Sequence, residues 1–203
     1  STQAKTLFPY TTLFRSAYLT SKDKITNSAK NFKKATYKFT PEQTTLIKKI
    51  TKGLDRDQIF LLARDLAFKK EREKARLLCN YILNDLPNYG DVRTLKGRTL
   101  AWDGDYKNAE IELLEVINRT PFYGDAYSAL MDVYWWSDQN TKAIETGKKA
   151  LSNQINEPEL AYKLAQAYKR INNFKDTNKT IDSLLKIHPE NTNYITFKKS
   201  LKK

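Results

Sequence analysis

A chain of 203 residues, 40% hydrophobic and 29% charged, is long enough for one packed domain or one repeat array and too apolar to be disordered throughout. No stretch reaches the roughly 18 apolar residues of a membrane-spanning helix, and the single cysteine, Cys79, leaves no disulfide within this chain. The formal charge of +13 is segregated: residues 1–56 hold 12 Lys/Arg against 3 Asp/Glu, residues 198–203 hold four Lys, and residues 57–197 hold 20 of each sign, so the segment of globular composition is neutral and nucleic acid is disfavoured as a partner.

Thr6 to Ser16 reads T-L-F-P-Y-T-T-L-F-R-S, the translation of a common sequencing adapter. Residues 1–16 are therefore set apart as a sequencing artefact. On that reading the natural N-terminus and any signal peptide are missing from this chain. Residues 17–52 form a polar, basic linker that ends in a short helix. Thr40 is placed as its N-cap, Pro41 at the first helical position and Gln43 at the third. Leu46, Ile47 and Ile50 share one face, and Gly53 ends the helix over Pro41 to Lys52.

From residue 53 the chain repeats. Pro87-Asn88-Tyr89-Gly90-Asp91 returns as Pro121-Phe122-Tyr123-Gly124-Asp125, 34 positions later. Ala75, Ala109 and Ala143 are spaced by 34 and 34; Pro87, Pro121 and Pro189 by 34 and 68. A small side chain is needed where two helices of one unit cross closely, and a proline stops the second helix before the next unit begins. Apolar residues at i, i+3, i+4 and i+7 give helices near 57–69 and 72–85 in the first unit, with Cys79 on the inward face as a core residue. The second unit spans Gly90 to Tyr123. Asp91 is expected to cap its first helix, Gly97 to admit the partner helix, and Asp103-Gly104 to make the turn over Tyr106. The third unit runs from Gly124, capped by Asp125, to about Glu157; the fourth runs from Pro158 to Asn191. A capping helix, or the truncated start of another element, occupies 192–203.

A helix–turn–helix unit of 34 residues is the period of the tetratricopeptide repeat, so the fold expected for 53–191 is an all-α tetratricopeptide-repeat solenoid of about four units. Three positions depart from the pattern. Lys96 falls where a large apolar residue is usual, leaving Val92, Leu95 and Leu100 to carry that face. Ile155 replaces the proline, with Pro158 three residues late, and Thr177 replaces the small alanine. The resemblance assigns the concave face to positions two, five, nine, twelve and thirteen of each unit. These place Arg64, Phe68, Arg98, Trp102, Asp132, Trp135, Trp136, Tyr162 and Arg170 in a candidate binding groove of aromatic platforms and charged forks, suited to an extended peptide or a sugar chain. The alternative is that Trp102 and Trp136 pack at helix ends against a neighbouring unit. No catalytic grouping, glycine-rich phosphate loop or metal spacing is present in the sequence: the one histidine, His188, lies in a connection. The chain reads as a non-enzyme without cofactors.

The wording of the first three units is similar to one family. L-A-R-D-L-A-F (62–68), D-V-R-T-L-K-G-R-T-L-A-W-D-G-D-Y (91–106) and A-L-M-D-V-Y-W-W-S (129–137) resemble the periplasmic N-terminal region of YaiO-type outer-membrane β-barrel proteins of Gram-negative bacteria; Gly97 to Gly104 is the most specific phrase. The resemblance covers about 57–175. It implies a location on the periplasmic side of the outer membrane and a missing β-barrel as the chain's own partner. It also implies a binding role connected, by analogy, with export of a surface polysaccharide. The alternative is a stand-alone cytoplasmic adaptor that binds peptide segments or partner helices.

Overall fold

The computed structural model describes residues 36–201. The adapter-like stretch, and the linker up to residue 35, lie outside the described residues. Among the described residues ten helices follow one another: α1 (Pro41–Ile50), α2 (Arg56–Phe68), α3 (Arg72–Asp85), α4 (Gly90–Trp102), α5 (Tyr106–Arg119), α6 (Gly124–Trp136), α7 (Asn140–Ser152), α8 (Pro158–Arg170), α9 (Phe174–Ile187) and α10 (Thr192–Lys199). No strand occurs among them.

Helices α2 to α9 form four antiparallel pairs. The second helix of each pair packs on the first helix of the next. First helices of neighbouring units also touch, α2 with α4, α4 with α6 and α6 with α8, so they make the closely spaced inner wall, and α3, α5, α7 and α9 make the outer one. The small residues work as expected. Ala75, Ala109 and Ala143 are buried at the crossings, and a Cβ on Gly97 would stand 2.8 Å from Leu113 Cγ, so the α4–α5 crossing needs glycine there. One core runs through units two to four, around Leu113, Tyr127, Leu130 and Leu160. A second fills unit one, around Ile59, Leu78, Cys79 and Ile82.

The first helix of each unit starts at 34-residue pitch from Gly90 onward, at Gly90, Gly124, Pro158 and Thr192. The late proline at 158 therefore leaves the register untouched. It sits at the first position of α8, and the α7–α8 junction turns through Gln154 at φ +63° while Ile155 is buried. Thr177, in the alanine position, is buried without loss because its hydroxyl donates to the Asn173 carbonyl at 2.7 Å. Helix α10 stands in the register of the first helix of a fifth unit. Its Tyr194 and Phe197 pack against Tyr162 and Leu185 of the fourth unit. His188 is half-buried beside Tyr194 rather than freely exposed, with ring centres 6.3 Å apart.

Three local expectations change. Asp91 and Asp125 are not N-caps: Tyr89 and Tyr123 take the cap positions, and each aspartate stands in the first turn, at the positive end of its helix. Lys96 is buried, and the family's apolar contact is replaced by an ionic one. Its ammonium lies 2.6 Å from Glu112, which also accepts from Arg93 at 2.7 Å. Finally, the basic linker is not free over its last residues. Thr40 and Gln43 form the expected capping box at the start of α1, and Tyr37 and Phe39 just before it are half-buried on the outer wall.

Candidate binding groove

The inner wall carries the nine residues singled out by the repeat pattern, but it does not present them equally. Arg98 is committed. Its guanidinium contacts Asp125 at 2.5 Å and Asp132 at 3.7 Å. Asp132 in turn receives Lys163 of α8 at 2.7 Å, and Lys163 also donates to Ser128 Oγ at 2.8 Å. The result is a ladder of alternating charge across α4, α6 and α8 that neutralises the groove floor from within. Partly buried pairs of this kind fix the register of neighbouring helices, and their net effect on stability is small, because desolvation offsets most of the Coulomb gain. Ala67, Thr94, Ala101 and Ser128, also at groove positions, are buried and line no open surface.

Two aromatic residues are likewise covered. Trp135 lies under Arg170, whose guanidinium is 4.4 Å from the ring centre and donates to the Trp135 carbonyl at 2.9 Å and to Asp138 at 2.5 Å. Tyr162 is packed between Tyr194 and Phe197 of α10, at 5.0 and 5.4 Å. Both serve the stacking of units. Four of the nine residues face outward. Phe68 is 69% exposed and Trp136 43%. Trp102 is half-buried, with its ring 5.9 Å from Phe68, and Arg64 is half-buried with no carboxylate partner among the described residues. Phe68, Trp102 and Trp136 occupy the same position in successive units and form a row along the edge where the first helices end. Beside Trp136 a cavity of about 190 Å³ opens between α6, α7 and α8, lined by Met131, Trp135, Ala143, Gln166 and the Asp132–Lys163 pair. A larger recess of about 770 Å³ lies between the α2–α3 and α4–α5 turns, and its arginines, Arg72 and Arg76, are both held by Asp103 at 2.5 Å, with Arg72 also 5.8 Å from the Trp102 ring centre.

The opposite edge, where the first helices begin, is acidic. Asp57 accepts from the Tyr89 hydroxyl at 3.0 Å, and Asp91 accepts from Tyr123. Burial raises the pKa of Asp91, and the neighbouring Asp125 and Asp57 add to the rise. In the third unit Glu157 stands where the tyrosines stand. Its pKa is raised by burial, then by Asp125 and Glu159. The repeat pattern assigns Lys163 and Glu157 no groove role. The clue to Lys163 was its spacing of four residues from Glu159 along one helix.

No family profile matches the chain, and neither does any curated protein sequence. Solved structures do. TTC0263, a thermophilic tetratricopeptide-repeat protein of Thermus thermophilus, superposes with a TM-score of 0.62 at 17% identity, over 78% of this chain and 86% of its own. MamA of Desulfovibrio magneticus RS-1, from residue 41 to its end, gives 0.59 at 18%, over 89% and 96%. MamA AMB-1 gives 0.55 at 16%, over 90% and 98%. At such identities the likeness concerns architecture alone, and together with the 34-residue pitch of the helices it establishes this chain as an all-α tetratricopeptide-repeat solenoid.

Proposed function

We propose that the chain is a non-catalytic interaction scaffold whose inner wall holds an extended peptide segment of a protein partner. The repeat fold supports a scaffold that binds protein. The observation that carries the peptide reading is the row Phe68, Trp102 and Trp136, with Phe68 and Trp136 exposed and Trp102 half-buried between Phe68 and Arg72, above a floor whose charges already satisfy one another. A floor of that kind gives little to a strongly charged ligand. The aromatic row gives apolar contact at intervals of one unit, and the cavity beside Trp136 admits one large side chain as an anchor. Arg64, without a carboxylate partner among the described residues, supplies a cation at the α2 end. The thiol best suited to chemistry is disarmed: burial pushes Cys79 up to about 12, far from the nucleophilic thiolate.

A screen of the full chain against an array of random extended peptides tests this reading. Peptides retained by the wild type are expected to lose about 10-fold or more in affinity on Phe68→Ala and on Trp136→Ala, with helical circular dichroism unchanged, since both side chains are exposed. Equal binding by wild type and variants, or retention of polysaccharide fractions and no peptide, sinks it. The finer setting rests on the resemblance of 62–68, 91–106 and 129–137 to the periplasmic region of YaiO-type proteins. We place the scaffold there, beside a β-barrel, with a surface polysaccharide as the associated cargo. The natural reading frame on both sides of this chain decides the matter. A signal peptide upstream and alternating strands of about ten residues downstream support it; a frame with neither leaves a stand-alone adaptor.

A further inference from the structure

Residues 36–40 run extended across the outer wall, with Tyr37 and Phe39 turned inward and Thr36, Lys38 and Thr40 exposed, the alternation of a β-strand. No strand among the described residues pairs with them. Instead the side-chain amide of Asn84 on α3 substitutes for a neighbouring backbone: its Oδ1 accepts from the Tyr37 N–H at 2.7 Å, and its Nδ2 donates to the Tyr37 carbonyl at 3.0 Å. The Tyr37 ring sits 4.3 Å from the Lys96 ammonium, which donates to the Tyr37 hydroxyl at 3.1 Å. Phe39 meets Tyr81 edge-on at 6.5 Å. Lys96 is the residue that breaks the repeat pattern, and it is buried beneath the tyrosine beside the half-buried Glu112.

We infer that α3, α4 and α5 form a second peptide site, on the outer wall, for an extended Tyr-Xaa-Phe segment, and that the chain's own Tyr37–Phe39 fills it. A bidentate amide clamp reads backbone, not sequence. The buried Lys96, paired with Glu112, adds the choice of side chain, because a tyrosine gives the ammonium both a π-face and an acceptor, whereas an aliphatic residue would leave it without either. The site uses none of the groove residues of the inner wall and does not depend on the groove's ligand. A tethered occupant acts at an effective concentration in the millimolar range, so a free peptide competes poorly until the tether is disarmed.

The test uses the full chain and a labelled synthetic peptide, K-A-T-Y-K-F-T-P-E, which copies residues 34–42. A Tyr37→Ala/Phe39→Ala chain is expected to bind it about 10-fold or more tightly than the wild type does, and adding Asn84→Ala is expected to remove that gain. Equal binding by wild type and double variant, or no binding by a folded double variant, overturns the proposal. Should the double variant fail to fold, hydrogen exchange at the Tyr37 amide decides. Protection in the wild type about 10-fold or more above that in Asn84→Ala, with α6 to α9 unaffected, supports the clamp. Equal exchange in the two chains removes it.

Discussion

Two of the unit boundaries use the residue just before the first helix to bond back to the preceding unit. Tyr89 donates to Asp57 and Tyr123 to Asp91, and in both cases a hydroxyl satisfies a carboxylate held at a helix N-terminus. At the third boundary Glu157 brings a second carboxylate toward Asp125 and Glu159 instead. Its folded pKa is raised, so its ionisation costs stability. That loss is full near neutral pH and is relieved as the pH falls through the folded pKa, above the ordinary glutamate range. Glu157→Tyr restores the donor and is expected to stabilise the chain at pH 7 by about 0.5–1.5 kcal/mol, the worth of one hydrogen bond. Urea titrations at neutral pH and at a series of lower pH values check this: the gain should shrink as the pH falls through the raised folded pKa of Glu157. A gain that does not change with pH would mean that burial of the ring, not charge, is responsible. Little of this was legible in the sequence. The aspartates look like caps because capping is what their position in a 34-residue frame suggests. Only the fold brings Tyr123 from 32 positions away onto Asp91 and Arg98 onto Asp125. Lys96 was legible as an anomaly but not as a solution, since its partners Glu112 and Tyr37 come from separate elements.

Among elements, the tight link inside each pair repeats as strictly as the helices do. Lys70, Gly104, Asp138 and Asn172, 34 residues apart, all adopt positive φ, at +66°, +83°, +58° and +59°. Each connects the last turn of an inner helix to the first turn of an outer one. Glycine takes this conformation freely, whereas a lysine gains nothing locally from it. Lys70 is exposed, so its replacement disturbs no packing. Lys70→Gly is accordingly expected to raise stability by about 0.5 kcal/mol, the relief of the left-handed backbone less the added entropy of the unfolded chain. Gly104→Ala should lower it by about 1 kcal/mol. Paired urea denaturation curves measure both, and a destabilised Lys70→Gly chain would refute the account of the turn. Only Asp103-Gly104 announces this turn by composition. Asp138 and Asn172 are residue types that tolerate the left-handed backbone, whereas Lys70 is legible through the period alone, because a lysine carries no turn preference. The helix spans of the first unit, by contrast, were readable to within a residue, because apolar spacing and the small crossing residues determine them locally.

At the scale of the molecule, units touch only their neighbours, so stability should be distributed rather than shared as one cooperative whole. Cys79 and Tyr194 allow this to be measured. Cys79 is fully buried in the core of unit one, and its thiol is pushed up to about 12, so a neutral alkylating reagent reaches it only when that unit opens. Tyr194 belongs to α10 at the far end, where it covers Tyr162 and the last core cluster. Tyr194→Ala strips an aromatic ring from that cover, at a local cost of about 3 kcal/mol. Amide exchange in α8, α9 and α10 is then expected to accelerate about 100-fold, the kinetic equivalent of that cost. The alkylation rate of Cys79 in the same chain should stay within about 2-fold of the wild type, because the intervening units separate the two sites and nearest-neighbour coupling decays along the array. If alkylation accelerates in step with exchange at α9, the four units open together and the array is a single cooperative body. That outcome would also change how a groove ligand acts. In an array that opens unit by unit, a peptide bound across Phe68, Trp102 and Trp136 lends stability only to the units it spans; in a cooperative one it would slow alkylation of Cys79 and exchange at α10 alike.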